Sequence, residues 1–129
     1  MSKIKKQTVS TNQAPAAIGP YSQATIHNQT LYISGQLPLD PGTGELVSED
    51  IAEQTTQVIK NLAAIINSAG GTMENVLKAT ILLTDMANFA TVNQVYATFF
   101  PTSPPARICY QVTALPKGAQ VEIDAICAL

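Results

Sequence analysis

Arg107 is the residue of this sequence best suited to bind a small organic acid. It follows Ser103-Pro104-Pro105-Ala106 and opens the apolar segment 107–110, which has the character of a strand. A guanidinium group is planar and can donate two parallel hydrogen bonds to one carboxylate, which makes it a natural anchor for an organic anion. A salt bridge between subunits would use the same chemistry, and this residue alone leaves both interpretations open.

Glu122 is the candidate for proton transfer. It lies in Gln120-Val121-Glu122-Ile123-Asp124, within the last predicted strand, and apolar neighbours tend to raise the pKa of a carboxyl group. Glu122 and Asp124 are two residues apart in a strand, so their side chains point to the same face. A buried ion pair, for example with Arg107, is the alternative. A short turn joins the strands of Arg107 and Glu122, and antiparallel pairing of these strands would bring both residues into one site.

Two further segments have the features of a ligand-binding wall. Tyr21 follows Gly19-Pro20, and a loop stiffened by proline loses little entropy when it closes on a ligand. Ser34 and Gly35 end a predicted strand, where a glycine permits either close approach of a ligand to the backbone or a β-bulge. Tyr21 could instead fill a gap in the turn, so this wall is a hypothesis.

Cysteine and histidine give little support for nucleophilic or metal chemistry. Cys109 could act as a nucleophile, but the single histidine, His27, lies in a predicted hairpin turn and is not placed to activate it. We expect a buried thiol at Cys109 whose backbone lines the site. Cys127 forms no CxxC pair, so Cys and His cannot supply a metal-ligand set. The motifs GxGxxG, GxxxxGK(S/T), GxSxG and HExxH are missing as well, which leaves nucleotide-binding, serine-hydrolase and zinc-protease classes without support.

The composition indicates one small domain that associates with copies of itself. The 129 residues suit a single domain, 1–129, and only 12% of them are charged, against about a quarter in a typical soluble domain. A short chain gains buried surface by oligomerising, and low charge is typical of a surface that partner subunits cover. A compact monomer with a polar but uncharged surface is the alternative.

Charge and hydropathy disfavour nucleic acid and membranes as partners. The net charge is −2, and the one basic cluster, Lys3, Lys5 and Lys6, is typical of a solvated N-terminal end. No apolar run approaches the ~18 residues of a membrane span, and the basic start lacks the hydrophobic segment of a signal peptide. Because both cysteines are interpreted as free thiols, we expect a cytoplasmic protein.

The elements that must position these residues are predicted in the order β-β-β-α-β-α-β-β. The first helix begins after Asp50, with Glu53 completing a capping box, and ends at Gly70-Gly71. The second helix begins near Asp85 and ends before Pro101. The fourth strand is apolar enough to be buried on both faces. The six predicted strands span 4–9, 24–27, 31–34, 75–84, 106–112 and 121–127.

These elements predict an α+β fold with a mixed β-sheet of about six strands. Two helices are too few to cover both faces of such a sheet, so they should pack together on one face. The opposite face must meet water or another subunit, and its apolar strands favour a subunit. Sheets joined in this way would form a closed, barrel-like core.

The order and spacing of these segments resemble the RidA family (also called YjgF/UK-type), the enamine and imine deaminases. The resemblance covers nearly the whole chain, and the joint order of its motifs is highly specific. In this sequence the motifs are Gly19-Pro20-Tyr21-Ser22-Gln23-Ala24, Ser34-Gly35-Gln36, Gln57-Val58, Asn61-Leu62, Ala69-Gly70, Leu83-Thr84-Asp85-Met86, Phe89, Val92-Asn93, Tyr96, Pro105-Ala106-Arg107, Leu115-Pro116 and Val121-Glu122-Ile123.

The resemblance implies a chorismate-mutase-like homotrimer with three clefts at its subunit interfaces. It also implies hydrolysis, without a cofactor, of 2-imino acids and their enamine tautomers, such as 2-aminoacrylate and 2-aminocrotonate, to 2-keto acids and ammonia. These intermediates are released by pyridoxal-phosphate dehydratases that act on serine or threonine. By matching position, Arg107 would hold the substrate carboxylate, Glu122 would orient the attacking water and Tyr21 would close over the ligand. The remaining positions that would line the pocket are Ser34, Gly35 and Cys109.

One position departs from the family pattern, and two other functions stay open. Ile108 stands where the family usually has a small residue such as Ser or Ala, so substrate size preference differs if its side chain faces the cleft and is unaffected if it faces the core. A non-catalytic sensor of small 2-keto acids would need Arg107 but not Glu122. A protein- or RNA-binding role is the third hypothesis. The presence of both Arg107 and Glu122 favours the enzyme.

Overall fold

The protein folds as one six-stranded sheet with two helices, in the order that the sequence predicts. The computed structural model describes residues 4–129, so Lys3 lies outside the described part. The strands run in the spatial order β1-β2-β3-β6-β4-β5, antiparallel except for the parallel pair β4 and β5. The elements are β1 (Gln7–Val9), β2 (Ala24–His27), β3 (Thr30–Gln36), α1 (Ile51–Ser68), β4 (Val76–Leu83), α2 (Phe89–Phe99), β5 (Ala106–Gln111) and β6 (Val121–Ala128).

The predicted hairpin of β2 and β3 is confirmed, and its two strands are joined by a tight two-residue turn. Asn28 and Gln29 connect the strands with φ angles of 50° and 63°. Positive φ at both central residues is the geometry of a type I′ turn, whose twist matches that of the flanking strands. This register brings Ala24 opposite Ile33 and places the 14–23 loop beside the end of β3.

The ends of α1 agree with the sequence except for one half of the capping box. The Asp50 carboxylate accepts a hydrogen bond from the Glu53 backbone N–H at 2.9 Å. The reciprocal bond from Glu53 is replaced, because the Asp50 N–H donates to Ser48 Oγ at 3.0 Å. At the other end Gly70 has a φ of +91°, a conformation that favours glycine, and the Gly71 N–H donates to the Ile66 carbonyl at 3.0 Å.

The core lies between the helices and one face of the sheet. The helix-facing side chains of β4, which are Ala79, Ile81 and Leu83, are buried against it. The alternate residues Thr80 and Leu82 are only half-buried, so the prediction that β4 is buried on both faces is wrong for the single chain. The opposite surface of the sheet, called here the open face, also carries three apolar or aromatic side chains that are about half exposed: Tyr32, Ile108 and Tyr110.

Both helices fit this arrangement, and neither resembles a membrane span. Within residues 4–129, no helix has both the length and the apolar character needed to cross a bilayer. Helix α1 packs on β3 and β6 and also contacts α2. Helix α2 is joined to the edge strand β5 by a hydrogen bond between Asn93 and Arg107. The helical layer therefore ends at β5, and this edge is where Arg107 lies.

Candidate active site

Arg107 is held against helix α2 at the edge of the sheet. It is in register with buried Ala79 on β4, so its side chain lies on the helix-covered side. Its Nη1 donates a hydrogen bond to Asn93 Oδ1 at 2.7 Å. The guanidinium carbon lies 5.0 Å from the centre of the Tyr96 ring and 5.6 Å from that of Phe89, within the range of cation–π attraction. The cation is therefore oriented before any ligand arrives.

Sequence reasoning missed the three residues that hold Arg107. Phe89, Asn93 and Tyr96 lie at positions i, i+4 and i+7 of α2, the spacing of one helical face. From the sequence they were noted only among the motifs of the family resemblance. A polar asparagine inside an aromatic stripe was the signal that this face of α2 meets a charged group.

Tyr96 has a second unusual feature, since its buried hydroxyl has no hydrogen-bond partner among the described residues. Burial raises the pKa of this phenol, while the nearby positive charge of Arg107 acts in the opposite direction. A buried hydroxyl without a partner destabilises a fold, so any stabilisation that Tyr96 provides comes from its ring. That contribution is the packing surface beneath Arg107.

Cys109 lies two residues beyond Arg107 and faces the same side of β5. The side chain is half-buried against the core, and burial raises the pKa of its thiol, while the Arg107 charge acts to lower it. A thiol with a raised pKa stays protonated near neutral pH and is a poor nucleophile. Cys127 is fully buried with a pKa raised to about 11, and both cysteines are free.

Glu122 lies on central strand β6, and its carboxylate covers the backbone of Gly35. A Cβ atom added at Gly35 would lie 2.5 Å from Glu122 Oε2 and 3.1 Å from Glu122 Cγ, so any larger residue would force the Glu122 side chain to move. The register between β3 and β6 shifts at this point, between Ile33 and Gln36, as the glycine allows. Burial raises the pKa of the Glu122 carboxyl, and the neighbouring charge of Asp124 raises it further.

The 14–23 loop is anchored to β3 beside Glu122. Ser34 Oγ donates to the Ser22 carbonyl at 2.6 Å, and the Ser34 N–H donates to the Gln23 carbonyl at 2.9 Å. Tyr21 is 51% exposed, and its hydroxyl accepts a bond from the Ile18 N–H at 3.4 Å. Tyr21 and Gly35 line one small cavity of about 40 Å³. The Ser34 hydroxyl is thus used inside the chain, where it fixes the loop that carries Tyr21.

Arg107 and Glu122 do not meet within one chain, and the prediction that their strands pair is wrong. Strand β4 lies between β5 and β6, with Arg107 beside Ala79 and Glu122 beside Leu82. Ala79 and Leu82 are three residues apart, so they point to opposite faces of the sheet. The short connection between β5 and β6 suggested adjacency, but β5 joins β4 in parallel through α2, and β6 enters between β3 and β4.

The candidate residues therefore form two groups. The cationic group is Phe89, Asn93, Tyr96, Arg107 and Cys109, on the helix side at the sheet edge. The carboxylate group is Tyr21, Ser34, Gly35 and Glu122, near the middle of the sheet. Within residues 4–129, no three or more His, Cys, Asp and Glu side chains come together as a metal-ligand group.

Comparison with known proteins decides the family. The family model described as "Endoribonuclease L-PSP" matches residues 11–129. A 2-iminobutanoate/2-iminopropanoate deaminase from mouse is 53% identical, over 98% of this chain and 93% of its own length. A crystal structure of a conserved Rid-family protein from Yersinia pestis is 48% identical, with a TM-score of 0.95 over 97% of this chain and 100% of that one. This chain belongs to the RidA family.

A third relative in the RidA family has been solved with a small molecule bound. E. coli TdcF, solved with bound serine, is 38% identical, with a TM-score of 0.91 over 95% of this chain and 98% of that one. Both residue groups fall inside the segment that the family model matches. The resemblance that the sequence motifs predicted is thus confirmed at the level of family and fold.

Proposed function

We propose that this protein hydrolyses reactive 2-imino acids and their enamine tautomers, such as 2-aminoacrylate and 2-aminocrotonate, to 2-keto acids and ammonia. The observation that carries the proposal is that one small chain presents both a pre-oriented guanidinium and, on the other face of its sheet, a carboxylate whose pKa is raised. Its close relatives are named for the deamination of 2-iminobutanoate and 2-iminopropanoate. A substrate that carries both a carboxylate and an electrophilic carbon suits this chain, because Arg107 can bind the carboxylate and Glu122 can assist the attack of water on the carbon.

The substrate carboxylate binds Arg107 in this mechanism. One N–H of Nη1 is occupied by Asn93, and the other N–H groups of the guanidinium can form paired hydrogen bonds to a carboxylate. The aromatic rings of Phe89 and Tyr96 limit rotation of the guanidinium. Substrate is therefore bound with its imine carbon at a fixed distance from the cation, which lowers the entropic part of the barrier.

Glu122 carries the proton. It accepts one proton from water as the water oxygen bonds to the carbon of the protonated imine (the iminium ion), which gives a neutral carbinolamine. Protonated Glu122 then donates to the amine nitrogen, the C–N bond breaks, and the hydroxyl loses its proton to Glu122 as the new C=O forms. That proton leaves with ammonia, so the carboxylate is restored and atoms and charge balance. The imine carbon is already electrophilic, so a positioned base is the main requirement.

We also propose that the working molecule is a homotrimer whose open sheet faces form a central barrel. The proposal is supported by the half-exposed Tyr32, Ile108 and Tyr110 on the open face and by the low fraction of charged residues. A neighbouring copy would bring its carboxylate group to the cationic group of the first, which one chain does not do by itself. Sedimentation equilibrium tests this assembly, and a monomer at micromolar concentration would contradict it.

The protein is also proposed to be cytoplasmic and to consist of one domain. The free thiols of Cys109 and Cys127 support a cytoplasmic location, and residues 1–129 are treated as one domain. RNA cleavage is the second candidate function, because the matching family model is described as an endoribonuclease. The net charge of −2 disfavours it, since RNA binding relies on basic surfaces.

A coupled assay tests the proposed reaction. A serine or threonine dehydratase generates the imine, and release of the 2-keto acid is followed by absorbance with and without this protein. Acceleration by the protein supports the proposal. Arg107→Lys keeps the charge but loses paired hydrogen bonds and should cost about 2 kcal/mol of binding, with a larger cost for Arg107→Ala. Wild-type rates in both variants would contradict the assignment of Arg107, and degradation of labelled RNA in place of imine hydrolysis would favour the ribonuclease.

A further inference from the structure

Asp124 is a charged residue on the open face that the reaction described above does not use. It lies two residues from Glu122 on β6, and the alternation of a strand puts both carboxylates on the same side. Two residues of strand span about 7 Å, which is shorter than the screening distance of about 10 Å in ordinary buffer. The two negative charges therefore act on each other.

The orientation of Asp124 is fixed by the neighbouring strand. The residue is in register with Thr80 on β4, and the Thr80 backbone N–H donates to Asp124 Oδ1 at 3.1 Å. A backbone donor in the middle of a sheet is immobile, so it holds the charge in place rather than letting it swing into solvent. Asp124 is exposed in the single chain, on the side of β6 that faces away from the helices and the core.

We propose that Asp124 is a positioning residue for imine hydrolysis, whose fixed negative charge favours transfer of the water proton to Glu122. This inference rests on the proposed function of Glu122. Burial and Asp124 act in the same direction on Glu122, and burial is the larger cause of its raised pKa. A base with a higher proton affinity accepts the water proton more readily, as long as it remains ionised at the working pH.

The other titratable groups described near Glu122 do not supply the negative charge that Asp124 supplies. On β4 the open-face cation Lys78 is in register with Ile126, two residues beyond Asp124, so it lies farther from Glu122 than Asp124 does. Arg107 of the same chain lies on the opposite face of the sheet. In the proposed trimer an Arg107 side chain from a neighbouring copy would lie near Glu122 in the wild type and in the Asp124 variants alike, so the comparison between them still isolates the charge of Asp124. The other titratable side chains on this side of β3, β5 and the 14–23 loop are phenols. Tyr110 on β5 is in register with Leu82, Tyr32 on β3 is in register with Ile126, and Tyr21 lies in the 14–23 loop.

The test measures the titration of Glu122 directly, by carbon NMR of its side-chain carboxyl group. Asp124→Asn removes the charge and keeps an acceptor for the Thr80 N–H. Asp124→Thr, which also suits a strand, is a second neutral variant should the first fail to fold. Glu53→Gln removes one exposed carboxylate from α1 and serves as the control. We expect the Glu122 midpoint to fall by about 0.5 to 1 pH unit in both Asp124 variants and to stay unchanged in the control.

The pH profile of hydrolysis provides the second measurement. The acidic limb of kcat/KM should move to lower pH by the same amount as the NMR midpoint, with a lower plateau because the base is weaker. A purely structural role for Asp124 would leave both pH values in place. An unchanged Glu122 midpoint in a folded variant would overturn the role of Asp124 alone. If the Glu122 NMR midpoint shifts but the acidic limb of kcat/KM does not, Glu122 is not the base of the reaction. That result would overturn the role of Asp124 and, with it, the proposed role of Glu122.

Discussion

At the scale of single residues, the catalytic task proposed for Glu122 comes with a cost to stability. Its pKa is raised in the folded chain, so the folded state holds this proton more tightly than the unfolded state does. The stabilising contribution is present at low pH, below the ordinary glutamate value of about 4.3, and is lost as pH rises through the raised pKa. At neutral pH the charged carboxylate is therefore destabilising.

Glu122→Gln should accordingly separate activity from stability. We expect turnover to fall by roughly 100-fold or more, because the amide cannot accept the water proton. The free energy of unfolding should rise at pH 7.5, and this gain should shrink toward pH 4. Denaturant unfolding at one fixed protein concentration gives the second quantity. Full turnover in a folded variant, or a stability gain that grows on acidification, would disagree with the assignment.

Tyr96 provides a matched pair of substitutions next to Arg107. Tyr96→Phe deletes the unpartnered hydroxyl but keeps the ring beneath the guanidinium, so stability should stay the same or rise and activity should be retained. Tyr96→Leu removes the ring and should weaken binding of a stable 2-keto acid by about 0.5 to 2 kcal/mol. Calorimetric titration of both variants decides the matter, and equal affinities would show that the ring contributes nothing to the orientation of Arg107.

At the scale of elements, strands β3 and β6 are in close contact at Gly35, where the Glu122 side chain lies over the backbone. Gly35→Ala places a methyl group against the Glu122 carboxylate and should destabilise the protein by about 1 to 3 kcal/mol. In a Glu122→Ala background the contact is gone, so the same substitution should cost little. A double-mutant cycle of unfolding free energies measures this coupling. Equal costs in the two backgrounds would mean that Gly35 is required for its backbone and not for the fit to Glu122.

The elements also mark the limit of what could be predicted from sequence. Asp50 and Gly70 identified the ends of α1, and Asn28 lay in a recognisable hairpin turn, because caps and turns depend on a few neighbouring residues. Strand order depends on which distant segments pair. Alternation assigns a face to Arg107 and Glu122 but cannot show that β4 lies between them. Asn93 was missed for the same reason, since its partner lies on another element.

For Ile108, the register of its strand excludes the core as the position of the side chain. Its register with Thr80 places the side chain on the open face, where it is 47% exposed, so it is directed away from the core and from Arg107. A large residue at this position adds apolar surface beside Tyr110. Its effect is therefore expected on contacts made by the open face, which also carries Glu122, rather than on the Arg107 group that is proposed to bind the substrate carboxylate.

At the scale of the whole molecule, the proposed reaction needs the cationic group and the carboxylate group, which one chain holds on opposite faces of its sheet. In a cyclic trimer each cleft would take the cationic group from one copy and the carboxylate group from the next. A residue from each copy is then needed for every catalytic event. Activity becomes a property of the assembly, so dilution below the association range should abolish turnover without unfolding the chain.

Complementation between inactive subunits tests this claim most directly. Equal amounts of Arg107→Ala and Glu122→Gln chains are refolded together, and imine hydrolysis is compared with that of each variant assembled alone. Random assembly leaves roughly a quarter of the clefts with an intact Arg107 and an intact Glu122 from different copies. We therefore expect about a quarter of wild-type activity from the mixture and almost none from either variant. Mixed assemblies that form but stay as inactive as the separate variants would contradict a shared site.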